Sequence, residues 1–149
     1  MKKGITFLII ILTVSCYSQN EVKVVGKENS ENFSISRVEA CNKDSVFLIV
    51  DNLPEYENGT KQLIKDLNEH ISYDKTIKGK IYLVFTINCE GKAFGFQCLV
   101  GLDKESNEKL ITGIDELQNW KSGSQRGRNV DCTKALGFEI KKGKIYRTD

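Results

Sequence analysis

Cysteine is the residue type in this chain with the widest chemical reach, and there are five: Cys16, Cys41, Cys89, Cys98 and Cys132. Thiols pair into disulfides, ligate soft metals, act as nucleophiles or accept lipid. No two are spaced as C-x-x-C, and the single histidine, His70, cannot complete a Cys/His metal set. Tetrahedral zinc and thioredoxin-like redox chemistry therefore lack their usual framework, and neither a metal nor a cofactor is expected. His70 has no nucleophile near it in sequence, which makes it a poor catalytic base. Neither a phosphate loop, a paired-carboxylate signature nor a triad motif can be read in the chain. A binding domain and a structural module are thus better supported than a thiol-active enzyme, and no enzymatic activity is expected.

The redox setting of those cysteines follows from the first twenty residues. Lys2 and Lys3 form a positive n-region, and Ile5 to Val14 is an apolar stretch. That stretch is shorter than the roughly 20 residues needed to span a bilayer, so it reads as an export signal. Small residues at Cys16 and Ser18 place cleavage before Gln19, with 1–18 removed. The alternative is a lipoprotein signal over 1–15, in which Leu12-Thr13-Val14-Ser15-Cys16 serves as a lipobox and Cys16 becomes a lipid-anchored N-terminus. Either route leads to the periplasm or cell envelope, where disulfides persist. Formal net charge is +2, and Lys2 and Lys3 account for both positive units. The exported part is near neutral, and bulk charge asks for neither nucleic acid nor an anionic membrane surface as partner.

Positioning falls to the remaining chain. Residues 19–44 read as a polar lead-in, partly disordered or holding a weak strand, and 45–149 as one domain. Within the domain, Ser45 to Asp51 is a continuous apolar run that reads as a buried strand. Thr60 to Ile71 reads as a helix with Leu63, Ile64, Leu67 and Ile71 on one face, capped by Gly59 or Thr60. Gly79 to Val100 alternates apolar and polar residues on both sides of Cys89-Glu90-Gly91, the pattern of a β-hairpin. A two-residue Glu90-Gly91 turn pairs Ile87 with Phe94, Phe85 with Phe96, Leu83 with Cys98 and Ile81 with Val100. Asp103 to Gln118 reads as a second helix with Leu110, Ile111, Ile114 and Leu117 inward, capped by Asp103 or Ser106. Trp120 reads as a core plug, Ser122 to Arg128 as a solvated basic loop, Val130 to Ile140 as the last strand, and Lys141 to Asp149 as a fraying tail.

A right-handed crossover sets the last strand beside the first hairpin strand and antiparallel to it. The expected fold is α+β: a three-stranded antiparallel sheet with two helices on one face, a short N-terminal extension, and the last strand as a free edge. In that register Cys98 lies six residues beyond the position facing Cys89. At ~3.3 Å per residue this is about 20 Å, against the roughly 7 Å that a disulfide allows, which excludes Cys89–Cys98. Cys132 falls near the hairpin turn. The topology admits a Cys89–Cys132 bridge, the alternative being two buried thiols.

Certain segments, taken in order, resemble the TonB C-terminal domain family. They are Val50-Asp51-Asn52-Leu53-Pro54-Glu55-Tyr56-Glu57-Asn58-Gly59, Gly79-Lys80-Ile81-Tyr82-Leu83-Val84-Phe85-Thr86-Ile87 with the Cys89-Glu90-Gly91 turn, Asn119-Trp120-Lys121-Ser122-Gly123, Gly127-Arg128-Asn129-Val130, and Gly137-Phe138-Glu139-Ile140. The likeness covers Val46 to Tyr146, about two-thirds of the chain. It implies a periplasmic domain that grips an extended TonB-box-like peptide of an outer-membrane receptor, or another envelope protein, by strand addition in the service of transmembrane transport. The family's double glycine before helix one is Asn58-Gly59 here, its Tyr-Pro after that helix is Tyr73-Asp74, and its proline after Trp120 is Ser122. The family's spanning anchor and Pro-rich spacer are not expected, which separates the binding role from energy transduction. The expected peptide-binding edge is Val130, Asp131, Cys132, Thr133, Lys134, Ala135, Leu136 and Gly137. Its unpaired N–H and C=O groups would bind a peptide or pair two copies of the chain as a homodimer. The competing reading is an exported structural module in which Lys134 merely protects that edge.

Overall fold

A computed structural model describes residues 31–33, 38–42 and 45–148. The fold is α+β, and its centre is strand β3 (Gly79–Ile87). Ile81, Leu83, Phe85 and Ile87 are buried there, while Tyr82, Val84 and Thr86 on the opposite face are half-buried. That period of two is what one-sided coverage demands. Helices α1 (Gly59–His70) and α2 (Lys104–Glu116) supply the cover. Leu63 and Leu67 of α1 and Leu110, Ile111 and Ile114 of α2 join the β3 residues in one core. Each such side chain contributes roughly 1.5–3 kcal/mol on burial. The two helices approach closely because Gly113 lacks a side chain: a Cβ there would run into the ends of Ile71 and Leu67. Asp103 caps α2 by accepting from the Ser106 N–H (2.9 Å), as expected. At α1 the cap is Asn58 in the left-handed region (φ 61°) with no side-chain bond, in place of Gly59 or Thr60. Among the described residues no helix is long and apolar enough to cross a membrane.

The hairpin of β3 with β4 (Ala93–Val100) forms where expected, with a corrected register. Leu83 faces Cys98 as read, but Ile87 faces Ala93 and Tyr82 faces Val100. The turn holds an extra residue: the Gly91 N–H donates to Asn88 O, and the Asn88 N–H donates to Lys92 O with Gly91 at φ 77°. This adds a glycine bulge to the turn and shifts the pairing by one. A second irregularity opposite Phe85 restores the register for Val84 and Leu83, and a third moves it again at Tyr82. Phe85 and Phe96 still stack, with ring centroids 5.1 Å apart.

The sheet has five strands, not three. Its order is β1 (Glu31–Phe33), β4, β3, β8 (Cys132–Lys141), β9 (Lys144–Arg147). β8 lies antiparallel beside β3 from Ile87↔Cys132 to Gly79↔Ile140, which is the expected neighbour. It is not a free edge along its length. The tail expected to fray folds back as β9 and pairs Phe138 to Lys141, with Ile145 1% exposed in the core. Two small ribbons flank the sheet: β2 (Glu55–Tyr56) with β5 (Trp120–Lys121), and β6 (Gly123–Gln125) with β7 (Arg128–Val130). The run from Ser45 to Asp51 is no buried strand: only Phe47 makes a bridge, and its apolar neighbours face solvent. Within the lead-in, Glu31–Phe33 pairs with β4 as the weak-strand reading allowed. The export segment and Cys16 lie outside the described residues.

Candidate functional site

The run expected to take a peptide, Val130 to Gly137, divides into positions already occupied and one that is open. Val130 ends β7 and pairs with Gly123. Along β8, alternate residues turn their main-chain groups toward β3 and away from it. The outward set is marked by bonds at both ends. Phe47 lies parallel to the edge; its N–H donates to Asp131 O (2.9 Å) and its C=O accepts from the Thr133 N–H (2.9 Å). At the other end the Thr148 N–H donates to Gly137 O (3.1 Å). Cys132, Lys134 and Leu136 are turned toward β3. Between Phe47 and Thr148 lies Ala135, exposed, with its N–H and C=O on the outer side. The expected eight-residue edge thus narrows to a window centred on one residue.

That window opens onto a groove of about 290 Å³ on the sheet face that the helices leave bare. Tyr82, Val84 and Leu99 form its floor, Ala135 and Gly137 one wall, and Arg147 and Thr148 its end. Gly137 is required here, since a Cβ would press on the Tyr82 ring. An extended segment seated at Ala135 would meet apolar floor on one side and a guanidinium at the end.

A staple holds the Phe47 segment in place. Cys41 and Cys89 form a disulfide with Cα atoms 6.0 Å apart, which corrects the Cys89–Cys132 pairing. Cys132 is instead a fully buried thiol, and burial pushes its pKa up, leaving little nucleophilic thiolate near neutrality. Cys98 is also buried, its Sγ donating to Val100 O (3.3 Å). Beneath the disulfide sits Asp131, 2% exposed. Its Oδ1 accepts from the Cys89 N–H (2.8 Å) and its Oδ2 from the Asn42 N–H (3.1 Å), so one carboxylate bonds beside both cysteines. Among the described residues Cys41, Cys89 and Asp131 form the one convergence of metal-ligating types. Both sulfurs are consumed by the disulfide and offer no thiolate.

The remaining expected residues fall elsewhere. Lys134 is half-buried, its Nζ donating to Pro54 O (2.7 Å), and burial lowers its pKa. It fastens the loop before α1 more than it guards an open edge. Trp120 plugs the core, with edge-on contacts to Tyr56 (5.2 Å) and Phe85 (5.4 Å). His70 ends α1, exposed, its Nδ1 2.8 Å from Asp66 O. Arg126 and Arg128 are exposed and do not reach the Ala135 window. The outer edge of β9 is closed by Asn68, whose Oδ1 accepts from the Ile145 N–H (2.9 Å) and whose Nδ2 donates to Ile145 O (2.8 Å). That amide does what a neighbouring strand would do, and it covers a polar edge.

Sequence reasoning missed Cys41, Phe47, Asn68 and the side-chain role of Asp131. Cys41 lies in a polar lead-in with no periodicity to give it a register. The signal that could have found it is parity: a hairpin-turn cysteine in an exported chain needs a partner outside the hairpin. Compared with protein-family models, curated proteins and solved structures, the chain gives no match.

Proposed function

We propose that this protein is a TonB C-terminal-like interaction domain of the periplasm or cell envelope. In this reading it captures an extended peptide of an envelope protein by strand addition at β8 and catalyses no reaction. The observation that carries the reading is the Ala135 window, a main-chain donor and acceptor on an exposed strand position at the mouth of an apolar groove. Main-chain bonds would supply affinity, and the Tyr82, Val84 and Leu99 floor would select an apolar side chain. Phe47 already lies against the same edge as a parallel segment, so the edge accepts added backbone. The Cys41–Cys89 disulfide supports an oxidising location. The family likeness stated for the sequence adds the peptide class, a TonB-box-like segment.

The rival reading, an exported structural module without peptide binding, is favoured by Phe47 and Thr148, which fill the positions on either side of the window. An NMR titration with TonB-box peptides separates the two. Capture moves the amide resonances of Thr133, Ala135 and Gly137 and the side-chain signals of Leu99. Peptide at millimolar concentration with no shift at Ala135 removes capture and leaves the module.

A further inference from the structure

Four aliphatic side chains between Val46 and Leu53 stand in solvent, and two of them, Leu48 at 74% and Ile49 at 87% exposed, occupy the tip of one loop. The loop is not slack. Its first stem is fixed by the two main-chain bonds of Phe47 to β8. Its second is fixed by the Asn52 N–H donating to Ser124 O (3.1 Å) and the Ser124 N–H donating to Asn52 O (2.9 Å). A freely moving loop would fold its leucine and isoleucine against the body of the protein. This one is clipped at both ends and holds them out, so the backbone of the stems is ordered before contact.

The neighbouring ribbon supplies charge. The Arg126 N–H donates to Asp51 Oδ2 (2.7 Å) and the Asp51 N–H donates to Gln125 Oε1 (3.0 Å), which ties the β6–β7 turn to the same loop. Arg126 and Arg128 are both exposed, and among the described residues neither guanidinium forms an ion pair. Aliphatic side chains flanked by snorkelling cations suit a bilayer boundary, where the first enter the acyl region and the second meet lipid phosphates. Locally the two arginines outnumber the one carboxylate of the loop, Asp51, whose Oδ2 is occupied by the Arg126 main chain, so the patch keeps a positive excess that the near-zero charge of the whole chain hides.

We propose that the Phe47–Asn52 loop is a membrane-contact site that inserts Leu48 and Ile49 into a leaflet containing anionic lipid, with Arg126 and Arg128 on the headgroups. The site is separate from the Ala135 window and stands whether or not a peptide binds there. The test uses the exported protein with its disulfide intact in bicelles of phosphatidylethanolamine and phosphatidylglycerol doped with a spin-labelled lipid. The methyl signals of Leu48 and Ile49 broaden, while those of core residues such as Leu63 do not. In vesicle flotation, Leu48→Ser with Ile49→Ser lowers partitioning about tenfold or more, given the apolar area withdrawn from the acyl region. Arg126→Ala with Arg128→Ala lowers it on anionic vesicles and leaves it unchanged on phosphatidylcholine. Both positions are solvent-exposed, so the variants fold, as the unchanged core methyl signals report. Sharp Leu48 and Ile49 signals in labelled bicelles overturn the proposal. So does light scattering that shows a dimer converted to monomer by the serine variant, which would make the tip a contact between copies.

Discussion

Removing the Cys41–Cys89 disulfide by Cys41→Ser with Cys89→Ser should lower stability by a large and calculable amount. The bridge spans a sequence separation of 48 residues, and the enclosed loop contains all of α1 and all of β3. Chain-entropy reasoning for a loop of that size gives about 14 cal/mol/K, or about 4 kcal/mol at 25 °C. This is an upper figure. The Phe47 segment contributes little apolar burial of its own, so in the unbridged protein it can loosen and recover part of that entropy in the folded state. The expected loss is therefore about 2–4 kcal/mol, read from urea unfolding, with a steeper denaturant dependence because the unbridged unfolded chain is more expanded. Hydrogen exchange supplies the local reading. The Thr133 amide, which donates to Phe47 O, should exchange faster in the variant, while the Leu83 amide changes only with global stability. A loss below about 1 kcal/mol with Thr133 exchange unchanged would show that the bridge neither restrains the unfolded chain nor holds Phe47 on the edge.

Asn68→Ala should uncover the main chain of Ile145, costing about 1–3 kcal/mol for a half-buried donor and acceptor left without partners. Faster exchange of the Ile145 amide and concentration-dependent association on size-exclusion chromatography are expected, and the absence of both changes would refute an edge-covering role for that side chain. At high pH, Tyr56 provides a titration signature: burial first, then its hydrogen bond to Asp66, push its pKa up to about 12. A phenol raised in the folded state adds stability that is complete below its unfolded pKa near 10 and is lost as pH climbs through the folded value. Tyr73, raised by burial beneath Asp103, titrates in the same direction, so the informative quantity is the difference between wild type and Tyr56→Phe. That difference should shrink by roughly 2–3 kcal/mol between about pH 9 and pH 12. A flat difference across the range would contradict the buried phenol.

The parts of the fold that could be read in advance are those in which burial imposes a period. β3 alternates because one face lies under two helices, and α1 and α2 carry their stripes for the same reason. The placement of β8 beside β3 followed from the handedness of the helical crossover. Where burial does not impose a period, the reading failed. Val46 to Ile49 is as apolar as a core strand, yet only the main chain of Phe47 is used in pairing. β9 gives the opposite error: among charged residues a single buried side chain, Ile145, is enough to hold a strand when Asn68 also binds its main chain. The hairpin register failed at its ends because one extra residue in the turn moves the pairs beside it and a separate irregularity at Tyr82 moves the far end, and glycine at Gly91 marks such a bulge only weakly. Of the candidate edge, its place in the sheet was legible and its occupancy was not. Crossover handedness set Val130 to Gly137 next to the first hairpin strand, but edge occupancy depends on what a distant segment does, and no local pattern in Val130 to Gly137 reports Phe47 or Thr148.

Protection and use of a sheet edge make opposing demands, and the same residues answer both here. An open β8 would offer outward N–H and C=O groups along its whole length, a template for aggregation as much as for a ligand. The fold divides that length among three devices. Phe47 covers the start, β9 with Thr148 covers the end, and the groove under Ala135 stays accessible between them. The covers differ in how they are held. β9 is tied to the core through Ile145 and to α1 through Asn68, so its removal means unfolding. Phe47 rests on two main-chain bonds, its loop being stapled at Cys41–Cys89 and clipped at Asn52. If the usable edge is ever longer than the Ala135 window, it must lengthen toward Thr133 and Asp131, because only that cover can lift while the core stays intact.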